Sequence, residues 1–267
     1  MFMQSTPPAG SRAHAAHAAG WPVDRATAEI SLLGHREDNQ DRVHVAVHVG
    51  SVLLMAVDGM GGHSEGAHAA ETALAVMQRA FASAPKPLLD PQGFLHLALG
   101  RAHAEVVKLG RRMALETRPR ATCAVAIAQD DGAWWAHIGD SRIYQLRHGK
   151  VLGRTRDHSH VELLLQQGLI SAADALRHPL RNYVESCLGG DASVPEMSIS
   201  RLCRLRPGDV LMLCTDGFWA GLTEDQIGEL ASGDAGTLQA RLAGLAAQAV
   251  QTNAPHSDNT SAVALRW

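Results

Sequence analysis

Long apolar runs are missing from the 267-residue sequence. None approaches the length of a membrane-spanning helix, and the N-terminus has no basic start followed by an apolar core. Neither a membrane span nor a secretory leader is therefore expected. Clustered basic residues are missing too. The formal net charge is −3 and no Lys/Arg block occurs, which argues against nucleic acid as a main partner. Cysteine is sparse: Cys123, Cys187, Cys203 and Cys214 stand far apart with no C-x-x-C pair. That spacing argues against a zinc site or a disulfide framework and fits a reducing, cytoplasmic setting. Cys123, Cys203 and Cys214 fall in apolar, strand-like runs, where a thiol serves as a small buried hydrophobe. No repeat of fixed period is present. What remains is an ordinary globular composition, 46% hydrophobic and 19% charged, in a chain long enough for one large domain.

The most informative stretch runs from Val52 to His63. Val52-Leu53-Leu54-Met55-Ala56-Val57 is apolar without alternation, as in a strand covered on both faces. It ends in Asp58-Gly59-Met60-Gly61-Gly62-His63. A carboxylate at the end of a buried strand is costly unless a cation or strong donors compensate it. Glycines beside it allow close approach of backbone to a ligand. Read alone, Asp-Gly is equally a hairpin turn.

Along the chain, residues 1–24 are rich in Ala, Pro, Ser and Gly, with no face to bury, and read as a flexible tail. His14 and His17 within it read as solvated residues. Deleting residues 1–20 is expected to leave thermal stability and activity nearly unchanged; a large fall in Tm on truncation would contradict the tail assignment. A strand at 26–33 precedes a polar loop, Gly34-His35-Arg36-Glu37-Asp38-Asn39-Gln40-Asp41, in which His35 reads as solvated. The loop feeds a hairpin of Val43–Val49 and the Val52 strand. Ala70, Leu74, Met77 and Phe81 recur at spacings of three and four, as on one face of a helix starting near Ser64. Asp90-Pro91 opens a second helix whose apolar face is read through Met113. Short strands with tight turns follow (121–128, 133–138, 141–146, 150–154), the pattern of antiparallel meanders. Residues 157–189 break it and read as an insertion packed beside the main body. Strands at 198–205 and 210–214, a capping box at Thr223–Gln226, a helix marked by Leu238, Leu242, Leu245 and Ala249, and a last strand complete the chain.

Several acids stand at the ends of apolar runs: Asp58, Asp140, Asp216 and Asp258, with Asp41 in the charged loop. Periodicity alone leaves each free to be a turn residue. If they meet they repel one another without cations, and an all-oxygen donor set without thiols selects Mg²⁺ or Mn²⁺.

Arg36-x-x-Asn39-Gln40-Asp41, Asp58-Gly59-Met60-Gly61-Gly62-His63, Gly139-Asp140-Ser141-Arg142, Thr215-Asp216-Gly217 and Asp258-Asn259-x-Ser261 occur in that order. Together they resemble the metal-dependent Ser/Thr protein phosphatases of type 2C, in their compact bacterial form. Thr155-x-Asp157-His158-Ser159 and Leu188-Gly189 resemble further landmarks. The resemblance spans 25–267 as one catalytic domain, with 157–189 as a flap-like insertion. It implies an α+β fold, a four-layer α/β/β/α sandwich of two antiparallel sheets flanked by pairs of helices.

The resemblance also implies roles. Asp58 bridges two Mn²⁺ or Mg²⁺ ions, with the Gly59 carbonyl on the first. Asp216 and Asp258 hold the second ion, and Asp41 holds the first directly or through its waters. Asp140 serves a third, weaker ion together with Asp216. Arg36 grips the substrate phosphate, for which a guanidinium fork is suited. His63 protonates the leaving alkoxide. The implied chemistry is hydrolysis of phosphoserine or phosphothreonine by a water ionised between two cations. Implied partners are phosphoproteins, substrates of a cognate Ser/Thr kinase, and a monomer is expected. Gln40 stands where animal members usually carry a liganding Glu. Arg120-Ala121-Thr122-Cys123 replaces a Gly-Thr-Thr start, a change read as affecting packing only. Two other readings remain open: a phosphatase-like adaptor without catalysis, and a phosphatase for a small phosphomonoester.

Overall fold

The computed structural model describes residues 26–61, 63–130, 132–175, 177–233 and 238–267, the side chains of His63 and Ser64 excepted. The proposed tail, with His14 and His17, lies outside the described residues. The chain begins with three strands, β1 (Ala26–Leu32), β2 (Asp41–His48) and β3 (Ser51–Met60). Two long helices follow, α1 (His63–Ser83) and α2 (Pro91–Leu109). Next come β4 (Arg120–Ala121), β5 (Cys123–Gln129), β6 (Gly132–Ile138), β7 (Arg142–Arg147) and β8 (Lys150–Arg154). The insertion carries α3 (His160–Gln166), α4 (Ala172–Ala175) and β9 (Leu188–Gly189). The remainder is β10 (Ser198–Ile199), β11 (Cys203–Arg204), β12 (Val210–Cys214), α5 (Asp216–Trp219), α6 (Glu224–Gly228), α7 (Leu238–Thr252) and β13 (Thr260–Arg266).

Two antiparallel sheets are stacked face to face. One runs β1-β13-β12-β7-β8; the other runs β10-β6-β5-β3-β4-β9, with β2 on β3 and β11 on β6. The unbroken apolar run of β3 now has its reason. Leu53, Met55 and Val57 pack against α1 and α2, while Val52, Leu54 and Ala56 point into the space between the sheets. There they meet Ile143, Leu211, Leu213, Val263 and Leu265 from the opposite sheet. The outer face of that sheet carries Met212, Cys214 and Ala264 against Phe218, Leu238, Leu242 and Ala246 of α5 and α7. Four layers result, as expected, but the second helical layer is one long helix with the short α5 and α6 rather than a matched pair.

Several boundaries differ from the sequence reading. The strand does not stop before Asp58: β3 continues to Met60, so Asp58 lies within a paired strand, not in a turn. The helix α2 ends at Leu109, because Gly110 caps it through its amide to the carbonyls of Val107 and Lys108, and Met113 falls beyond it. The 198–205 run is two short strands, both paired to β6. Between them the Ser200 amide still bonds the Trp135 carbonyl. The two N-terminal signals hold. Asp90 accepts from the Gly93 amide at the start of α2, and Thr223 and Gln226 form a reciprocal capping box.

Candidate metal centre

Strand register brings the acids to one edge. In the β2–β3 hairpin Asp41 lies directly opposite Asp58. Like charges so placed oppose pairing. In the other sheet Cys214, the last residue of β12, is in register with Arg142 and Ala262, near the starts of β7 and β13. Because both neighbours run antiparallel to β12, Asp216 just past its end emerges beside Asp140 and Asp258, which just precede β7 and β13. Asp58, Gly59, Asp140, Asp216, Asp258 and Arg36 line a single cavity of about 640 Å³. Asp41 sits buried behind it, its carboxylate accepting from Thr215 Oγ1 at 2.8 Å.

The electrostatics of this edge are those of crowded anions. Burial pushes the Asp58 carboxyl well up, and Asp41, Asp216, Asp140 and Asp258 push it further. Burial also raises Asp140 well above its ordinary value, with Asp216 and Asp157 adding to it. Asp41 is raised to about 7, chiefly by burial, against lowering by hydrogen bonds from Ser261 and Thr215. Asp216 is raised to about 6 by burial and Asp258, while the Gly217 amide and Arg36 pull it down. Asp140 Oδ1 is buried and has no hydrogen-bond partner. A hard divalent cation suits this site: the donors are oxygens, negative charge is in excess, and one buried oxygen lacks a donor.

Among the described residues no three His, Cys, Asp or Glu side chains draw together into a closed ligand group. Asp258 is held to partners of its own. Asp258 Oδ2 accepts from Arg36 Nη2 at 2.6 Å, and its Oδ1 accepts from the Asn259 amide at 2.8 Å. The residue expected to grip phosphate is thus ion-paired to a residue expected to hold metal. Both are partly exposed.

Glycine is required beside Asp58. A Cβ on Gly59 would stand 2.0 Å from the Gly66 carbonyl oxygen of α1 and 2.9 Å from that of Gln40. The hairpin and the first helix therefore touch backbone to backbone at the cavity wall.

Asp140 is held by an arrangement that its motif does not announce. The Trp219 indole donates to the Asp140 carbonyl at 2.9 Å, and the Arg142 guanidinium lies 3.3 Å from the Trp219 ring centroid. Arg142 in turn forms a two-pronged ion pair with Asp157, at 2.8 and 2.7 Å. No periodic signal marks such a brace, since its members come from three separate elements. Asn182 and Val184, which sequence reading did not single out, reach the cavity from the insertion. Asn259 fixes the 34–41 loop, accepting from the Gln40 amide at 2.8 Å and donating to the Leu33 and Asp38 carbonyls. His35, expected to be merely solvated, is exposed but tied to the Ser257 hydroxyl at 2.7 Å. The side chain of His63 lies outside the described residues.

Comparison with known proteins agrees with this architecture. The family described as protein phosphatase 2C matches residues 31–252. Protein phosphatase PhpP of Streptococcus pneumoniae is 31% identical over 214 residues, covering 77% of this chain and 85% of that protein. The S. agalactiae serine/threonine phosphatase superposes with a TM-score of 0.81 at 24% identity, covering 91% of this chain and 99% of that one. The catalytic domain of the serine/threonine protein phosphatase PstP, solved in complex with two manganese ions, gives 0.75 at 25% identity, covering 91% and 97%. The chain belongs to the protein phosphatase 2C family, the metal-dependent Ser/Thr protein phosphatases.

Two expectations arise directly from the geometry. Thiol-blocking reagents should leave activity nearly intact, because none of the four free cysteines lines the acidic cavity. Burial raises Cys123 to about 12 and raises Cys214 as well, so neither presents thiolate at neutral pH. Rapid inactivation by such a reagent, at a rate matching labelling of Cys187 or Cys203, would contradict this.

The second concerns pH and stability without metal. Asp41 has its folded value raised from 3.8 to about 7. Its charge then costs stability that is fully felt above that value and vanishes as pH falls through the unfolded value. Asp41→Asn should therefore raise the Tm of the metal-stripped chain at about pH 8, and the gain should shrink toward about pH 4. A gain that grew as pH fell would reverse the sign and refute the burial argument.

Proposed function

We propose that this chain hydrolyses phosphoserine and phosphothreonine in proteins, with its 25–267 body as the catalytic domain and 157–189 as a flap-like insertion. Asp58, the Gly59 carbonyl and Asp41 would hold one Mn²⁺ or Mg²⁺; Asp58, Asp216 and Asp258 would hold a second. Asp140, with Asp216, would serve a weaker third. The observation that carries this reading is the convergence of carboxylates from both sheets on one cavity, where an Asp140 oxygen is buried without a donor. When bound, such cations supply Lewis acidity, lower the pKa of water and offset phosphoryl charge.

The side chains do the rest. Asp58, Asp216 and Asp140 supply negative charge that burial makes uncomfortable, and this sets the site's appetite for cations. Arg36 stands at the rim, where a phosphate would compete with Asp258 for its guanidinium. Its exposure allows that exchange without breaking a buried pair. His63 is assigned the leaving-group proton on the family resemblance of its motif. The Trp219–Arg142–Asp157 brace keeps the Asp140 main chain fixed beside α5.

No helix among the described residues is long and apolar enough to cross a membrane. We assign the chain to the cytoplasm because all four cysteines are free. A cognate Ser/Thr kinase would supply its substrates, with no nucleic acid as partner and a monomer as the working unit. The test is turnover of a phosphothreonine peptide against a generic aryl phosphate, with and without Mn²⁺. Metal-dependent turnover of the peptide supports the proposal. Turnover of the aryl ester alone indicates a small-molecule phosphatase, and metal binding without any turnover indicates an adaptor.

A further inference from the structure

A second cavity, of about 600 Å³, opens beside the first, and Val184 belongs to the wall of both. It lies between the insertion and the body, drawing on Arg120 of β4, Gly189 of β9 and insertion residues on either side of Val184. Backbone bonds hold the insertion's part of the wall. Ser159 bridges Val184, His160 N donates to the Tyr183 carbonyl at 3.0 Å, and Glu185 N donates to the His158 carbonyl at 2.8 Å. The cavity is thus framed by an ordered ladder, with Val184 shared between it and the acidic one.

Its chemistry is uneven. Glu185, Asp191 and Glu196 all line it, and among the described residues none is ion-paired to an Arg or Lys. Glu185 faces the His160 imidazole at 2.8 Å, which neutralises it only when protonated. Arg120, the one Arg or Lys on the wall among the described residues, directs its Nη2 to the Leu115 carbonyl at 2.9 Å. Asp157 also lines the cavity, but Arg142 already holds it. The same cavity wall carries exposed apolar side chains: Leu115, Leu163, Tyr183 and Val194. Acid heads around an apolar wall match a long side chain with an aliphatic stem and a cationic tip.

We propose that this cavity seats an arginine or lysine of the substrate, a few residues along the chain from the phosphorylated Ser or Thr. The proposal rests on the phosphatase reading above and names its preferred substrates: phosphoproteins with a basic residue flanking the phosphosite. The phosphoryl group would occupy the first cavity while the flanking backbone passes Val184. An acidic flank would meet Glu185, Asp191 and Glu196 and be disfavoured by like charge.

The experiment uses the full chain and a phosphothreonine peptide in which a single arginine, alanine or glutamate is walked along both sides. Specificity is read as the ratio of kcat/KM for the arginine and glutamate peptides within each protein, so any general loss in a variant cancels. At least one position should favour arginine about tenfold at low salt, with the preference shrinking as salt rises. In Asp191→Asn/Glu196→Gln the ratio at that position should fall toward one, and in Glu196→Lys it should invert. A second readout needs no turnover: a fluorescent, non-phosphorylated arginine peptide should bind the metal-stripped chain more tightly than its glutamate twin. That difference should vanish in the double variant.

Equal ratios at every position in an active wild-type protein overturn this inference and leave the phosphatase reading standing. So does a preference for arginine that survives intact in the folded double variant. Failure to turn over any phosphopeptide, with metal bound, overturns both.

Discussion

Asp58→Asn is expected to abolish turnover at any practical Mn²⁺ concentration, a fall of about a thousandfold or more, the scale of losing one preorganised electrostatic group. The reason lies in its position. Asp58 is set within β3 opposite Asp41, and Asp41, Asp216, Asp140 and Asp258 all act on its carboxyl. If its charge is shared between two cations, an amide weakens both sites together. Asp140→Ala should behave differently. Among the charged groups Asp140 is affected most by Asp216, and it enters from the connection that crosses from β6 in one sheet to β7 in the other. Its loss should spare the main pair of ions, lower turnover on protein substrates by roughly tenfold to a hundredfold, and change the shape of the metal dependence. A small aryl ester, whose good leaving group needs less assistance, should suffer less. Should Asp140→Ala bind no Mn²⁺, or Asp58→Asn retain two tight ions, the roles assigned within the cluster are wrong although the family is right.

Gly59→Ala should be the most damaging of the smallest substitutions. The new Cβ would stand 2.0 Å from the Gly66 carbonyl oxygen and 2.4 Å from its carbon, both backbone atoms in the first turn of α1. A flexible side chain could turn aside, but this helix backbone cannot. Either the hairpin or the helix must shift, at a cost of about 3 kcal/mol or more. Because Asp58 precedes Gly59 and α1 packs on β3, the shift would also displace the cavity wall. The expected result is a Tm several degrees lower together with loss of activity. Chemical denaturation beside Mn²⁺ titration separates the two effects. A variant with unchanged Tm and full activity would show that the close approach at Gly59 is not a constraint.

Much of this architecture could be read from the sequence because its signals are local. The six-residue apolar run in β3 demanded cover on both faces, and the two core layers supply it. The capping residues Asp90 and Thr223 announced their helices by chemistry that acts within one turn. The Asp motifs were different: periodicity left each free to be a turn residue, and only their ordered resemblance to a family marked them as one site. What local pattern could not show was how strands align. Asp58 looked like a turn residue, because an Asp-Gly pair reads as a turn until its partner strand is known. The Trp219–Arg142–Asp157 brace has no shared period, and the contribution of Asn182 and Val184 depends on how an irregular insertion folds back. The Arg36–Asp258 pair was hidden for another reason: its members are 222 residues apart and each had been given a separate task.

The central claim is that the acidic cavity works only with divalent cations. The most direct measurement is phosphothreonine-peptide turnover by the metal-stripped chain in excess chelator, with residual metal quantified, followed by stepwise return of Mn²⁺. The account predicts no turnover above background until Mn²⁺ is restored, and then recovery tracking occupancy of two sites in a parallel calorimetric titration. Full turnover in chelator, with metal content confirmed near zero, would contradict it.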